Sequence, residues 1–379
     1  MLKKTLISEN NTDKSLKKRI THDAIHGSYY LPNELWSIID TPEFQRLRDI
    51  KQTGNTYLVY MCANHTRFEH SLGVAYLCGL YGKRILNIIK DEELSINFTK
   101  RDILILQIAG LCHDLGHSAF SHLFDNSILP ALNKDIENFH FSHETASFLI
   151  LSKINSKLNI LTSEELGLVG KLIYGSHNKV DNSLKDILKW TDLDDHRTFM
   201  FQILSNEVNN NNHNCSHLCN ETNLECNGYS VDVDKFDYLK RDSLFTGIKD
   251  TFDYMRLIEF SELEKITDTE CYILKYDKKA HELIKSMWTA RNELHRRVYQ
   301  HRVVKKIDNM YVKAFIASAP YLNFIGDDGI VYNIKDIYKN MVAYCKLTDK
   351  IIYQIIDLSD KFSDIEDIKL IKDVQIRKW

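Results

Sequence analysis

The sequence predicts an all-α protein with minor β content, and three observations carry the prediction. Glycine and proline number only 14 and 4 in 379 residues, so elements that break helices are scarce. Apolar residues recur at helical spacing over long stretches, notably Ser71 to Lys90, Leu283 to Lys306 and Ile334 to Leu358. A hydrophobic content of 44% suffices to fill a sizeable core.

Residues 1–18 read as a polar, charged leader without the apolar segment of a secretory signal. No apolar run approaches a membrane span, so an intracellular protein, cytoplasmic or nuclear, is expected. A net charge of −3 gives no global reason to expect nucleic acid as a partner. The eight cysteines need no disulfides to explain them, because Cys62, Cys78 and Cys112 lie in apolar contexts where free thiols behave as small hydrophobes. The segment Ile103 to Cys112 (ILILQIAGLC) reads as a helix apolar nearly all round, with Gly116 as its stop. By contrast, residues 205–228 (SNEVNNNNHNCSHLCNETNLECNG) form an Asn-rich polar insertion without helical periodicity. Its His213, Cys215, His217, Cys219 and Cys226 can bind zinc in principle, but the irregular spacing lacks two CxxC pairs and favours a solvated loop. After the insertion, Asp234, Tyr238 and Asp242 recur every fourth residue and share one helical face, with Lys235 beside them. Arg291, His295, Tyr299 and Arg302 form a second, cationic stripe, so two polar helix faces can wall a site for a polyanion. These elements divide the chain into the leader, a catalytic core at 19–310 and a C-terminal helical accessory region at 311–379.

Four residues carry the chemistry. His70 in HTRFEHSLG, His113 and Asp114 in AGLCHDLGHSAFSH, and Asp234 in DVDKFDYLKRD combine two imidazoles with two carboxylates. Such a set suits a borderline divalent transition metal, iron, manganese or zinc, and leaves positions open for water and a phosphate oxygen. A His-Asp dipeptide alone proves nothing, and the chain has a second in His22-Asp23. That one precedes any apolar run, whereas His113-Asp114 closes a buried helix. His117 and His122 come near the same metal only if the chain turns back after Gly116. With His143 they supply candidates for a general acid and for phosphate contacts. Arg67, three residues before His70, puts a guanidinium beside the ligands.

Taken in order, HxxFEHSLG, AGLCHDLGHxxFSH, DVDKxDYxxRD and RNxLHRRxYQH resemble the HD-domain deoxynucleoside triphosphate triphosphohydrolases. The likeness is greatest to animal members that carry a sterile-alpha-motif domain before the HD domain, and it runs from about Arg19 onward. It implies a mostly helical fold and cleavage of a dNTP into deoxynucleoside and inorganic triphosphate, with His70, His113, Asp114 and Asp234 holding the metal. It further implies that Arg67, His117, Lys235, Tyr238 and Arg291 contact the triphosphate. His122, supported by Asp125, protonates the departing 5′ oxygen, and His143 is a further active-site histidine. Gln52 and Asp242 bind the sugar 3′-hydroxyl, Tyr299 crowds the 2′ position, and Thr53, His295 and Gln300 complete the substrate set. Magnesium accompanies the nucleotide.

The resemblance also implies a homo-oligomer, dimer or tetramer, with GTP and a dNTP as effectors. Arg19, Asp40, Gln45 and Arg48 match a guanine site; Val59, Arg256, Arg297, His301 and Arg302 match an adjoining nucleotide site. The sequence departs from the pattern at His22, in place of Asn, at Thr53, in place of Leu, and at Tyr276, near an Arg. The chain holds no sterile-alpha-motif segment and stops at Trp379, ahead of the relatives' C-terminal lobe, so altered or absent allostery is expected. Two other functions compete: an HD phosphohydrolase acting on a nucleotide monophosphate or a nucleic acid, and a nucleic-acid-binding factor without catalysis.

Overall fold

A computed structural model describes residues 19–175, 184, 188, 198–205, 231–266, 271–362 and 364–378. The leader and the Cys/His-bearing part of the insertion, including His213, Cys215, His217, Cys219 and Cys226, lie outside the described residues.

The fold is mainly helical, as expected. The helices used below are α1 (Arg67–Asp91), α2 (Lys100–Cys112), α3 (His143–Leu158), α4 (Ser163–Tyr174), α5 (Thr198–Leu204), α6 (Val233–Thr246), α7 (His281–Leu294), α8 (Arg302–Ser318), α9 (Ile351–Lys361) and α10 (Glu366–Gln375). Strands occur among the described residues only as three antiparallel ribbons: β1 (Ile20–Asp23) with β2 (Gly27–Tyr30), β3 (Ser261–Lys265) with β4 (Tyr272–Tyr276), and β5 (Asn323–Ile325) with β6 (Val331–Asn333).

Sequence chemistry sets the helix starts. Glu69 reaches back to the Thr66 amide at 2.7 Å to open α1, and Asp102 does the same for Thr99 at 2.8 Å to open α2. Asp232 caps α6 by accepting from the Lys235 amide at 2.9 Å, and α6 ends on Gly247 at φ 72°. α1 and α2 are buried along most of their length and pack on each other. Gly110 makes this possible, since an added Cβ there would sit 2.6 Å from the Cys78 sulfur. The apolar core is continuous from Tyr29 to Val374, with a small satellite of Phe148, Tyr174, Leu184 and Leu188.

Three expectations are corrected. Leu283 to Lys306 is two helices: α7 runs into a π turn at His295–Tyr299, and α8 restarts where His301 Nδ1 accepts from the Val303 amide at 3.3 Å. Ile334 to Leu358 is three short pieces, because Asn340 caps a new helix at Met341–Cys345 by accepting from Val342 N at 3.0 Å and Ala343 N at 3.1 Å. Cys62 is exposed, whereas Cys78 and Cys112 are buried free thiols as expected. The boundary drawn between residues 310 and 311 falls inside α8, and the apolar core continues on both sides of it. No helix among the described residues is long and apolar enough to cross a membrane.

Candidate metal centre and active site

The four expected metal ligands converge. His70 comes from the first turns of α1, His113 and Asp114 from the end of α2, and Asp234 from the start of α6. His70 Nε2 lies 3.3 Å from Asp114 Oδ2 and 3.1 Å from Asp234 Oδ1, and His113 Nε2 lies 3.5 Å from Asp114 Oδ1 and 3.4 Å from Asp234 Oδ1. Each imidazole is held from behind. His70 Nδ1 donates to Asp237 Oδ1 at 2.7 Å, and His113 Nδ1 donates to the Gly110 carbonyl at 2.8 Å. The tautomer so fixed leaves both Nε2 lone pairs facing the carboxylates, and both atoms are buried without a hydrogen-bond partner. Two orphaned imidazole nitrogens between two carboxylates fit a divalent cation.

Charge follows geometry. Burial would lower the proton affinity of His70, but Asp114, Asp234 and Asp237 override it and hold the imidazole well above its usual range; His113 is raised by Asp114 and Asp234. Burial would raise Asp114, yet Arg67, His113 and His117 hold it well below the usual carboxylate range, and Asp234 is depressed by His113 and His70. Two ionised carboxylates thus draw a positive charge between the rings, and protons compete with a metal for the same lone pairs.

Beyond Gly116 the chain does turn back. Phe120 and Ser121 adopt left-handed φ values of 60° and 55°, a conformation costing about 1–3 kcal/mol per non-glycine residue. The turn folds His117 and His122 over the metal ligands: His117 Nε2 lies 3.3 Å from Asp114 Oδ1, and the His117 and His122 rings are 4.8 Å apart. α3 brings His143 onto His117, with ring centroids 3.9 Å apart. It can do so because Gly116 has no side chain; a Cβ there would sit 2.1 Å from the His143 carbonyl. Asp125 faces this cluster from behind, with Oδ2 3.1 Å from His117 Nδ1 and 3.5 Å from His143 Nδ1. Its short contacts are therefore with His117 and His143, and it acts on His122 by charge, raising that ring's proton affinity. Burial and the positive neighbours nevertheless hold His117 and His122 below the usual histidine range, whereas Glu144 and Asp125 overcome burial to lift His143 to about 9.

Residues of both clusters border a cavity of about 680 Å³, although His70, His117 and Asp125 are not among its lining. Gln52, Thr53, Arg67, His113, Asp114, His122, His143 and Asp234 line the metal side. Lys235, Tyr238, Asp242, Arg291, His295, Tyr299 and Gln300 line the facing helices, so, His117 apart, the substrate residues proposed from the sequence share one cavity. Arg302 does not join its expected stripe; the break at Gln300 places it at the exposed start of α8. Arg67 pairs with Asp114 and donates to Ser121 Oγ at 3.0 Å. Asp242 accepts from His65 Nε2 at 2.6 Å and from the Tyr299 hydroxyl at 2.5 Å.

Residues 67–220 match the HD domain family, whose members are metal-dependent hydrolases. The chain thus contains an HD domain. It is 35% identical over 370 residues, 95% of its length, to human deoxynucleoside triphosphate triphosphohydrolase SAMHD1, covering 54% of that protein. It is 34% identical over 351 residues to the SAMHD1 homolog of Dictyostelium discoideum, with 92% of this chain and 57% of that one aligned. A putative HD domain-containing protein of Acanthamoeba polyphaga mimivirus is 33% identical over 340 residues, 88% of this chain and 63% of its own. The chain thus spans about half the length of the curated animal relatives it matches.

The His70 cluster is also contacted by residues that sequence reasoning passed over. Asp237 receives His70 on one oxygen and His26 Nε2 on the other at 2.7 Å, and Arg241 donates to it at 2.8 and 2.9 Å. Arg241 in turn pairs with Asp23 at 3.0 Å. Asp23 of the second His-Asp dipeptide thus braces the centre from behind, while His22 is exposed. A signal was present: DVDKFDYLKRD places Asp237 and Arg241 four apart, so that they share a helix face beside the one that carries Tyr238. Gly73 admits this group, since a Cβ there would meet Asp237 Oδ2 at 2.0 Å. His65 and Glu144 were also missed, and their roles need the tertiary fold to be seen.

Of the effector-site candidates in the HD chain, Arg19 pairs with Asp40 at 2.5 and 3.1 Å, Gln45 donates to the Ile39 carbonyl at 2.8 Å, and Arg48 donates to Gln45 at 2.9 Å. These four form one surface strip. Val59 adjoins Tyr60, whose hydroxyl donates to the Arg297 carbonyl at 2.8 Å and whose ring is 6.1 Å from His301. Arg297 pairs with Glu293 at 3.8 Å, and Arg256 lies 5.4 Å over the Phe260 ring.

Proposed function

We propose that this HD protein hydrolyses deoxynucleoside triphosphates to deoxynucleoside and inorganic triphosphate. One observation carries the reading: a cluster of two orphaned imidazole nitrogens and two carboxylates opens, through His113, Asp114 and Asp234, into a cavity that Arg67 borders on the same side and Lys235 and Arg291 on the facing side. The name of the animal relatives supports the substrate. A divalent metal held by His70, His113, Asp114 and Asp234 would supply a nucleophilic water at neutral pH and polarise a phosphoryl oxygen.

The chain's own residues do the rest. Arg67, Lys235 and Arg291 offset the negative charge of the triphosphate. In the hydrolysis a water oxygen bonds to the α-phosphorus, the bond to O5′ breaks, and O5′ takes a proton. His143 holds a proton at neutral pH and His122 does not, so the pair can store and relay the proton that O5′ needs. The Tyr299 ring, fixed through Asp242, packs where a 2′-hydroxyl would fall and selects deoxyribose. Magnesium accompanies the nucleotide, and the Arg19–Arg48 strip and the Tyr60 surface are the proposed GTP and dNTP effector contacts within a homo-oligomer.

Incubation with each dNTP and Mg²⁺, with and without GTP, followed by anion-exchange separation, tests the reading. Deoxynucleoside plus triphosphate supports it; dNMP plus pyrophosphate, or dNDP plus phosphate, rejects it. Equal rates for GTP and dGTP as substrates reject the role of Tyr299.

A further inference from the structure

Three contacts tie the chain between Tyr344 and Asp349 to the histidine-bearing turn after α2. The Tyr344 hydroxyl donates to the Gly116 carbonyl at 2.8 Å, Ser118 Oγ donates to the Leu347 carbonyl at 3.3 Å, and Asp349 Oδ1 accepts from the Phe120 amide at 2.7 Å. The second oxygen of Asp349 goes to another active-site loop: Oδ2 accepts from the Lys51 amide at 2.9 Å. Lys51 immediately precedes Gln52 and Thr53 in the cavity wall. The two loops also touch directly, since Ser121 Oγ donates to the Lys51 carbonyl at 2.8 Å while receiving Arg67 Nε at 3.0 Å. The Asp349 backbone is itself anchored, its amide donating to the Asp49 carbonyl at 3.1 Å.

We propose that Asp349 is a positioning residue, which clamps the His117–His122 turn to the Lys51–Thr53 loop and so aims His122 and Gln52 into the cavity. The chemistry of the contact requires a carboxylate. Two backbone N–H groups from different loops point at two different oxygens, and an asparagine offers one acceptor and one clashing NH₂. The clamp also falls at Phe120, which with Ser121 holds a left-handed φ that the polypeptide does not adopt unaided. Burial pushes the Asp349 carboxyl up to about 6 in spite of the two amides and Lys51, with Asp49 acting in the same direction as burial. Its ionised form is thus retained near neutral pH at some expense of stability, as suits a group kept for placement. The segment expected to be accessory accordingly supplies part of the active-site frame.

The effect on turnover rests on the proposed hydrolysis, whereas the clamp can be read without it. Asp349→Asn in the full chain is compared with the parent for dNTP turnover, bound metal and amide hydrogen exchange. The clamp predicts faster exchange in peptides holding Lys51 and Phe120, with protection elsewhere unchanged. It also predicts kcat lower by about ten- to a hundred-fold at unchanged KM and metal content, the scale expected when a reacting group is misplaced by about 1 Å. In a His122→Ala background the same substitution should cost clearly less than it does in the parent, since only the placement of Gln52 is then left to lose, an interaction that general destabilisation would not produce. Parent-like kcat, unchanged exchange at both amides, or a loss additive with His122→Ala would overturn the proposal. If Asp349→Asn does not fold, Asp349→Glu, which keeps both acceptors one methylene further out, is read the same way: lowered kcat with localised exchange supports the clamp, and parent-like values on both overturn it. If the parent cleaves no dNTP, the hydrolase reading fails and exchange alone decides: a rise confined to the two loops supports the clamp, and a uniform rise or none overturns it.

Discussion

Two groups of histidines and carboxylates in this protein are each tight enough to hold a metal ion: His70, His113 and Asp114, joined by Asp234, and His117, His122, Asp125 and His143. They differ in how the rings are held. In the first, each Nδ1 is committed to an outside acceptor, Asp237 or the Gly110 carbonyl, and the two Nε2 atoms converge on shared carboxylates. In the second, two Nδ1 atoms turn inward to the one carboxylate of Asp125, and the rings stack on each other. Inward Nδ1 atoms around one carboxylate share protons, whereas rings tied from behind present lone pairs. The same residue types are thus arranged in one place as a metal centre needs and in the other as a proton store needs.

The largest effects should separate the two. His113→Ala or Asp234→Ala should lose the bound metal and the proposed dNTP hydrolysis together, measured as metal per chain after chelator-free purification and as product formed. His143→Ala should retain its metal and lose about a hundred-fold in kcat, the scale of a missing general acid. Metal loss in His143→Ala would undo the distinction.

Asp237→Asn probes the support behind the first group. Metal affinity should weaken by about 10- to 100-fold, as for other groups that orient a ligating histidine. Stability should fall by about 3 kcal/mol, because buried Arg241 and His26 lose their shared partner. Metal titration and denaturant unfolding check the two effects separately.

A smaller effect tests the second group by pH. His143, lifted to about 9 chiefly by Glu144 against burial, is protonated below that pH and loses its proton above it. The kcat/KM profile should therefore fall as pH rises through about 9, and Glu144→Gln should move that limb to lower pH. An unmoved limb would take the proton from His143.

The smallest effect concerns the insertion. Replacing residues 209–223 by a short Gly/Ser linker should leave metal per chain unchanged and turnover within about a few-fold, since loop length weighs only weakly on closure. Loss of one zinc per chain would add a third metal group to the comparison.

The first group was legible in the sequence because its ligands sit at helix ends fixed by local chemistry: the Thr66 and Asp232 caps set α1 and α6, and the apolar run sets α2. Tyr238, Asp242 and Lys235 followed from period alone. The course of the stripe through Arg302 did not, because a π turn and the His301 cap interrupt a sequence whose apolar spacing stays helical. Asp349 and His65 were illegible for a different reason. Their partners lie 298 and 177 residues away, and nothing local marks either residue as more than a polar side chain. The turn that brings His122 home rests on left-handed Phe120 and Ser121, a geometry their residue types do not favour.

The most direct test of the division between the two groups is anomalous X-ray scattering, at the absorption edge of the co-purified metal, from crystals of the parent protein. The account predicts a single strong peak in the catalytic cavity, bounded by His70 Nε2, His113 Nε2, Asp114 and Asp234. A peak bounded instead by His117, His122, Asp125 and His143, with none at the first group, would contradict it.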